Sequence, residues 1–261
     1  MTTKKQKYTH YRIFREPRDR AIKALNNTYV LTSLIEKSLR AEQRTLSPSK
    51  KQADQEYEVP SSTGEATVLS RDSAEIFRLL ENAYVSGIYE QAIIAAVALT
   101  EDYLQTTLKT VLRWFPQKLK QNVAGENVLK NIGIDMILEA KSKKQLVSRL
   151  INKQMQGIFY GAPTRYFEYI EAVLNIKLST DLKNQFVEIK ATRDVVVHNS
   201  GKANETYLEK AGKLARAANR EKLPVTAEYF TSAIAGLKKL VVVLYKQVLD
   251  TYGNVKVPTE A

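Results

Sequence analysis

The chain has 261 residues, of which 44% are hydrophobic and 26% charged, and its formal net charge is +12. That length is enough to bury a substantial core. The absence of cysteine excludes disulfides, thiolate chemistry and cysteine-based zinc sites. A basic surplus of this size favours polyanionic partners such as RNA, DNA or an anionic membrane surface, although it also fits a protein kept soluble by charge.

The location of the protein is predicted from what the sequence lacks. No apolar run approaches the roughly 20 residues that a membrane-spanning helix needs. Residues 1–5 also lack the apolar segment of a signal peptide. We therefore expect a cytoplasmic protein with no membrane partner.

The N-terminal quarter of the chain differs in composition from the rest. Residues 1–20 mix basic and aromatic side chains, which suits contact with a nucleic-acid strand, but we expect a frayed, solvated tail with a few rings packed on the body. Apolar residues at helical spacing predict a helix over 20–44. Residues 45–70 are polar and contain proline and glycine, which predicts a linker. The whole of 1–69 is thus interpreted as a basic arm, a helix and a linker.

The main domain is predicted to span 70–252, followed by a tail over 253–261. Asp72 or Ser73 is a candidate N-cap for its first helix, which a Ser-Gly pair should break. Apolar spacings of three and four predict further helices over about 88–113, 136–158, 164–176, 180–198, 207–218 and 226–252. No alternation of period two survives six residues. The fold is therefore predicted to be all-α, a helical bundle with a basic N-terminal helical extension.

Residues 191–201 contain one of only two histidines in the chain. The Asn-Ser-Gly turn signal after His198 places this stretch at the C-terminal end of a helix. Asp194 and His198 are four residues apart and share a helical face, whereas Arg193 is turned about 140° away from His198. One regular helix cannot aim Arg193 and His198 at the same atom, so we expect either a helix that unwinds near Asn199 or two copies that face each other across a dimer.

A histidine and an arginine without a metal suit the cleavage of RNA by its own 2′-hydroxyl. A positioned acid–base group contributes about 10² to 10⁴ in rate, and a guanidinium clamps phosphate oxygens. The sequence contains no glycine-rich phosphate loop, no His-Glu-x-x-His and no His/Cys cluster, so we predict neither a metal nor a cofactor. By spacing alone, the more common case is a chance pair of Arg193 and His198, in which His198 only caps the helix.

The Arg-Asp-Val-Val-Val-His-Asn-Ser-Gly stretch resembles the Arg-polar-x-x-x-His signature of the HEPN superfamily. The segments 84–92, 101–104 and 226–230 are also similar, and the resemblance covers roughly residues 70–252. It implies a homodimeric, metal-independent endoribonuclease that acts as a toxin, in antiviral defence or in RNA processing, with a possible antitoxin or defence-system partner. Ser200 stands where one branch has a tyrosine, which argues against regulation by a partner nucleotidyltransferase.

Carried over, the resemblance makes His198 the acid–base group, Arg193 the phosphate clamp and Asp194 their polar partner. Candidate RNA-binding residues are Asn199, Lys202, Lys141, Lys144 and Arg149. Many HEPN proteins are non-catalytic, so two alternatives stay open. One is a nucleic-acid-binding module that contacts phosphates through the basic face of the helix predicted over 136–158 and the basic tail. The other is a helical dimerisation or adaptor protein.

Overall fold

The structure is a computed structural model that describes residues 4–46, 54–121, 132–159 and 163–255. It confirms the all-α helical bundle. The helices are α1 (Lys4–Thr45), α2 (Ser73–Asn82), α3 (Ile88–Trp114), α4 (Ile134–Leu138), α5 (Lys143–Phe159), α6 (Pro163–Leu174), α7 (Thr180–His198), α8 (Glu205–Ala211) and α9 (Ala227–Tyr252).

Side chains cap the starts of three helices, and Asp72, one of the two predicted candidates, caps α2. Asp72 accepts from the backbone N–H of Glu75 at 2.8 Å, and the Glu75 carboxylate accepts from the Asp72 N–H at 3.1 Å, which completes a capping box. Ser179 caps α7 and Thr226 caps α9 in the same manner. These local hydrogen bonds fix where the two longest C-terminal helices begin.

The prediction of a frayed tail is wrong for the described part of the N-terminus, because α1 is helical from Lys4 onward. Its buried residues Phe14, Ala21 and Leu25 belong to the main core. The Phe14 ring meets Trp114 edge-on at a centroid distance of 5.2 Å. Burial of one face of α1 is what orders a segment whose composition looks solvated. The division of the chain at residue 69 stays a prediction, and α1 shares the core of the helices that follow it.

The predicted linker contains a β-hairpin. β1 (Gln55–Pro60) pairs antiparallel with β2 (Ala66–Arg71), in register from Gln55↔Arg71 to Pro60↔Ala66. Gly64, with φ +89°, occupies the left-handed region at the turn. Both strands are mostly exposed. Strands without a buried face do not need alternating apolar residues, so the sequence pattern does not indicate them. The polar composition of the segment therefore predicts a linker and not a hairpin.

The predicted break between α2 and α3 is also wrong. A π-helical turn over Ala83–Gly87 joins them into a continuous helical run from Ser73 to Trp114. Gly87 keeps helical angles, φ −58° and ψ −44°. One residue is therefore inserted into the helix without ending it.

Among the described residues, the run Ser73–Trp114 is the one helix long and apolar enough to cross a bilayer. Its best 18-residue window has a mean hydropathy of 1.3, and 33% of that window is buried. The central helix of a soluble bundle meets the same criteria, and Ile93, Leu104 and Leu108 lie in the core. The helix is therefore weak evidence for a membrane, and a cytoplasmic location without a membrane partner stays a prediction.

Two other predicted helices are shorter in the structure. The helix predicted over 136–158 is split into α4 and α5, because a new helix start forms at residue 142. The Ser142 hydroxyl accepts from the Gln145 backbone N–H at 3.1 Å, and the Gln145 side chain accepts from the Lys141 N–H at 2.7 Å. The helix predicted over 207–218 ends at Ala211, because Gly212 has φ +51°.

The centre of the bundle is α3, which packs against α1, α9, α7, α5 and α6. A second, smaller cluster joins the C-terminal half of α7 to α8 and the loop that follows. Its buried members are Ala191, Val195, Ala203, Tyr207, Ala211 and Leu223. This smaller cluster fixes the segment 203–223 against the helix that carries the predicted motif.

Candidate functional site

The predicted motif lies at the C-terminal end of α7, which stays regular through His198. Asn199 and Gly201 both donate their backbone N–H to the Val195 carbonyl, at 2.9 and 3.1 Å. Ser200 (φ +51°) and Gly201 (φ +71°) then turn the chain through the left-handed region. The helix does not unwind near Asn199, so its geometry up to the motif is that of an ordinary helix.

Arg193, Asp194 and His198 line one open cleft of about 570 Å³. Lys190 and Lys210 contribute two further cations, and Asn204, Thr206 and Tyr207 are also part of its wall. Arg193 and His198 thus both line this cleft within one protomer. Its lining carries three cationic side chains and one carboxylate, which suits an anionic ligand.

The Asp194 carboxylate is held by cations. Arg193 Nη1 donates to its Oδ1 at 3.0 Å, and Lys210 Nζ donates to its Oδ2 at 3.4 Å. Among the described residues, no hydrogen bond or ion pair joins Asp194 to His198. Asp194 therefore positions the two cations in the cleft wall.

Both Arg193 and His198 have side-chain nitrogen atoms without a hydrogen-bond partner among the described residues. The Arg193 Nε–H is buried and has no acceptor within the described part of the chain. His198 is exposed, and none of the described side chains hydrogen-bonds its imidazole. A buried guanidinium donor without an acceptor is uncommon, and together with an accessible imidazole it marks the part of the cleft best suited to a bound anion.

Lys190 anchors the cleft to α3. Its ammonium donates to Glu101 Oε1 at 2.5 Å, and both side chains are largely buried. This ion pair fixes α7 against the central helix and neutralises one of the three cleft cations. Arg193 and Lys210 are left as the cations that share a single carboxylate.

A buried polar network lies beneath the cleft, one turn before the motif. Glu188 is 5% exposed, and its Oε1 accepts from Thr192 Oγ1 at 2.8 Å and from Arg216 Nε at 3.1 Å. Its Oε2 accepts from the Tyr229 hydroxyl at 2.9 Å. The Arg216 guanidinium lies 3.4 Å from the Tyr229 ring centroid and also donates to the Pro224 carbonyl.

This network ties three elements together. The Tyr207 hydroxyl of α8 accepts from the Arg216 N–H at 3.1 Å and lies 3.3 Å from Glu188 Oε1. Burial raises the pKa of both Tyr207 and Tyr229, so both phenols stay protonated donors at neutral pH. The network holds α8 on α7, and Lys210 of α8 thereby faces Asp194.

The predicted RNA-binding residues fall into two groups. Lys202 is exposed beside the motif, and the Asn199 amide donates to its backbone carbonyl, so Asn199 closes the turn. Lys141 and Lys144 are exposed near the start of α5, and Arg149 pairs with Glu139 at 3.4 Å. The three α5-side residues do not line the cleft, so the structure brings only the first group next to it.

No family model, curated protein or solved structure matches this chain. The HEPN resemblance therefore stays a prediction that depends on the motif and its place in the sequence.

Two cleft residues, Lys190 and Lys210, and one residue of the buried network, Arg216, cannot be singled out from the sequence. They read as ordinary basic residues, and their partners Glu101, Asp194 and Glu188 are far from them along the chain. Only the packing of α3, α7 and α8 brings them together. Within the described residues, no three His, Cys, Asp or Glu side chains form a group that could hold a metal ion.

Proposed function

We propose that the protein is an endoribonuclease that cleaves single-stranded RNA by attack of the 2′-hydroxyl, without a metal ion. The observation that carries the proposal is the cleft itself. An accessible His198 and an Arg193 with a free buried donor line the same wall as Lys210. This combination of an imidazole and two cations offers both proton transfer and charge stabilisation to a phosphodiester.

In the proposed reaction, His198 accepts the proton of the 2′-hydroxyl while the 2′-oxygen attacks the adjacent phosphorus. Arg193 and Lys210 neutralise the charge that develops on the non-bridging oxygens. The bond from phosphorus to the 5′-oxygen then breaks, and that oxygen takes up a proton. The products are a 2′,3′-cyclic phosphate and a 5′-hydroxyl.

The second proton transfer supports a homodimer. Each described cleft contributes one imidazole, whereas the reaction needs a base for the 2′-hydroxyl and an acid for the 5′-oxygen. Two α7 ends that face each other would supply both groups. Val197 and His198 are exposed at that end, which leaves it open to a second copy.

The test of the reaction is cleavage of a labelled single-stranded RNA in the presence of EDTA. We expect products with cyclic phosphate ends and loss of cleavage for His198→Ala. Lys239→Ala is a matched control because Lys239 is exposed on α9, away from the cleft lining. Cleavage that EDTA abolishes, or that His198→Ala retains, would show that the proposed mechanism is wrong.

Mixing wild type with His198→Ala tests whether the site is shared. If one site needs the imidazoles of both protomers, an exchanged 1:1 mixture retains about a quarter of the wild-type activity, because only wild-type homodimers hold both groups. If each protomer cleaves on its own, the mixture retains about half of the wild-type activity. The oligomeric state of each variant in solution is the control for both outcomes.

A toxin or antiviral-defence effector is the biological role that this activity suggests, with an antitoxin or defence-system protein as partner. Expression of the wild type should then arrest growth and degrade cellular RNA, whereas His198→Ala should do neither. Equal growth of cells that express the two proteins would argue against the role.

The second candidate function is a non-catalytic nucleic-acid-binding module. The observation that favours it is that no described side chain orients the His198 imidazole, whereas a catalytic base is commonly oriented by a third group. A binding module would retain RNA or DNA affinity that falls steeply with salt, and it would leave the RNA intact under all conditions.

A further inference from the structure

A second cavity adjoins the cleft. It has about the same volume, 570 Å³, and its lining includes Asn199, Lys202 and Arg220. Asn204 and Thr206 line both cavities. The two cavities therefore lie on either side of one polar ridge at the start of α8.

The second cavity carries two cations, Lys202 and Arg220. The Lys202 and Arg220 side chains are exposed, and neither has a hydrogen-bond acceptor or an ion-pair partner among the described residues. Glu205 is the one carboxylate in its lining. In the cleft, by contrast, Arg193 and Lys210 already share Asp194. The second cavity thus offers a net positive charge to a ligand without first breaking an ion pair.

The backbone fixes these cations relative to the motif. Arg220 N–H donates to the Ala203 carbonyl at 2.8 Å, and Leu223 N–H donates to the Gly201 carbonyl at 2.8 Å. Lys202 and Lys222 form an antiparallel bridge between the same two segments. Lys202 and Arg220 therefore stand on a scaffold that is hydrogen-bonded directly to the end of α7.

We propose that the second cavity binds a further phosphate of the same RNA strand whose scissile phosphate lies in the cleft. Lys202 and Arg220 would bind that phosphate, and the strand would cross the ridge of Asn204 and Thr206, whose polar side chains suit ribose hydroxyls. Guanidinium and ammonium groups are the side chains that proteins use for this purpose. The proposal rests on the proposed function, because it extends the same substrate beyond the reacting phosphate.

The salt dependence of RNA binding tests this assignment. In a non-cleaving His198→Ala background, the affinity for a fluorescent single-stranded oligonucleotide is measured by anisotropy across a range of salt concentrations. Each phosphate contact on a single strand contributes about 0.7 to the slope of log K against log salt. Because both side chains bind one phosphate, adding Lys202→Ala and Arg220→Ala together should lower the slope by about 0.7 and weaken binding at low salt.

Two further variants control for loss of charge and loss of fold. Lys239→Ala with Lys246→Ala removes the same two charges from exposed positions on α9 and should leave the slope unchanged. Lys202→Arg with Arg220→Lys keeps both charges in the second cavity and should restore the parent slope.

The outcomes separate this inference from the function on which it rests. Equal slopes for the cavity variant and the α9 variant would overturn the second phosphate site while the nuclease proposal stands. A lower slope for the cavity variant alone, with no cleavage by the wild type, would support the site and overturn the nuclease. Absence of RNA binding by the parent would overturn both.

Discussion

Two successive segments of α7, residues 188–192 and 193–198, treat their polar side chains in opposite ways. In the first segment, Glu188 and Thr192 are buried, and their polar groups are hydrogen-bonded to Arg216 and Tyr229. One residue after Thr192, Arg193 has a buried donor without an acceptor, and at the end of the helix His198 is exposed without a hydrogen-bond partner.

This difference indicates which polar residues of α7 stabilise the fold and which are available to a ligand. A satisfied buried network stabilises the fold, because removing one partner leaves the others desolvated. Polar groups that the fold leaves unsatisfied need another explanation, and a ligand is one. We therefore expect changes at Glu188 or Thr192 to lower stability and changes at Arg193 or His198 to lower activity.

His198→Ala should produce the largest effect, a loss of about 10² to 10⁴ in the rate of RNA cleavage. Because the side chain is exposed and unpaired, the free energy of unfolding should change by less than about 0.5 kcal/mol. Cleavage rates and urea unfolding of the same preparations measure both quantities. Lys239→Ala, at an exposed position on α9 outside the cleft lining, is the control that should keep its rate.

Glu188→Ala should cost about 3–5 kcal/mol in the free energy of unfolding, because Arg216 loses its carboxylate in a largely buried setting. Urea unfolding measures the loss. Glu209→Ala, at an exposed position on α8, should change the same quantity by less than about 0.5 kcal/mol. A loss for Glu188→Ala no larger than that of the control would contradict a structural role for the network.

Lys210→Ala should lower the cleavage rate about tenfold, because one charged hydrogen bond to the reacting phosphate is lost. The ion pair with Asp194 is partly exposed, so stability should fall by less than about 1 kcal/mol. Lys210→Arg keeps the charge and should retain most of the rate. If Lys210→Ala lowers stability and leaves the cleavage rate unchanged, Lys210 has a structural role and does not contact the substrate.

Alkaline pH should lower the stability that the buried network around Glu188 contributes. The pKa of Tyr229 is raised above its ordinary value of 10.0, chiefly by burial and also by the Glu188 charge. The unfolded chain therefore loses this proton first, and stability falls as pH rises above 10. Tyr229→Phe should make that fall shallower in urea unfolding between pH 9 and pH 11, whereas Tyr57→Phe on the exposed hairpin should leave it unchanged. Identical pH profiles for the two variants would count against the assignment to Tyr229.

Local features of the site and the fold could be predicted from the sequence. Apolar spacing indicated the all-α class, and the candidate cap Asp72 marked the start of α2. The predicted helix starts at residues 180 and 226 lie within one residue of the starts of α7 and α9. Helix α7 ends at His198, before the Asn-Ser-Gly signal. Caps and turns depend on residues within a few positions of each other, so a single sequence contains what they need.

The order of the N-terminal segment and the partners of the motif were decided by tertiary packing. The core orders α1 by burying Phe14 and Leu25, although the segment is basic enough to suggest a solvated tail. Lys190 meets Glu101 across 89 positions. Asp194 meets Lys210 across 16 positions. Such pairs depend on which helix faces lie against each other. The periodicity of one helix reports which of its faces is buried, but it does not report which partner buries it.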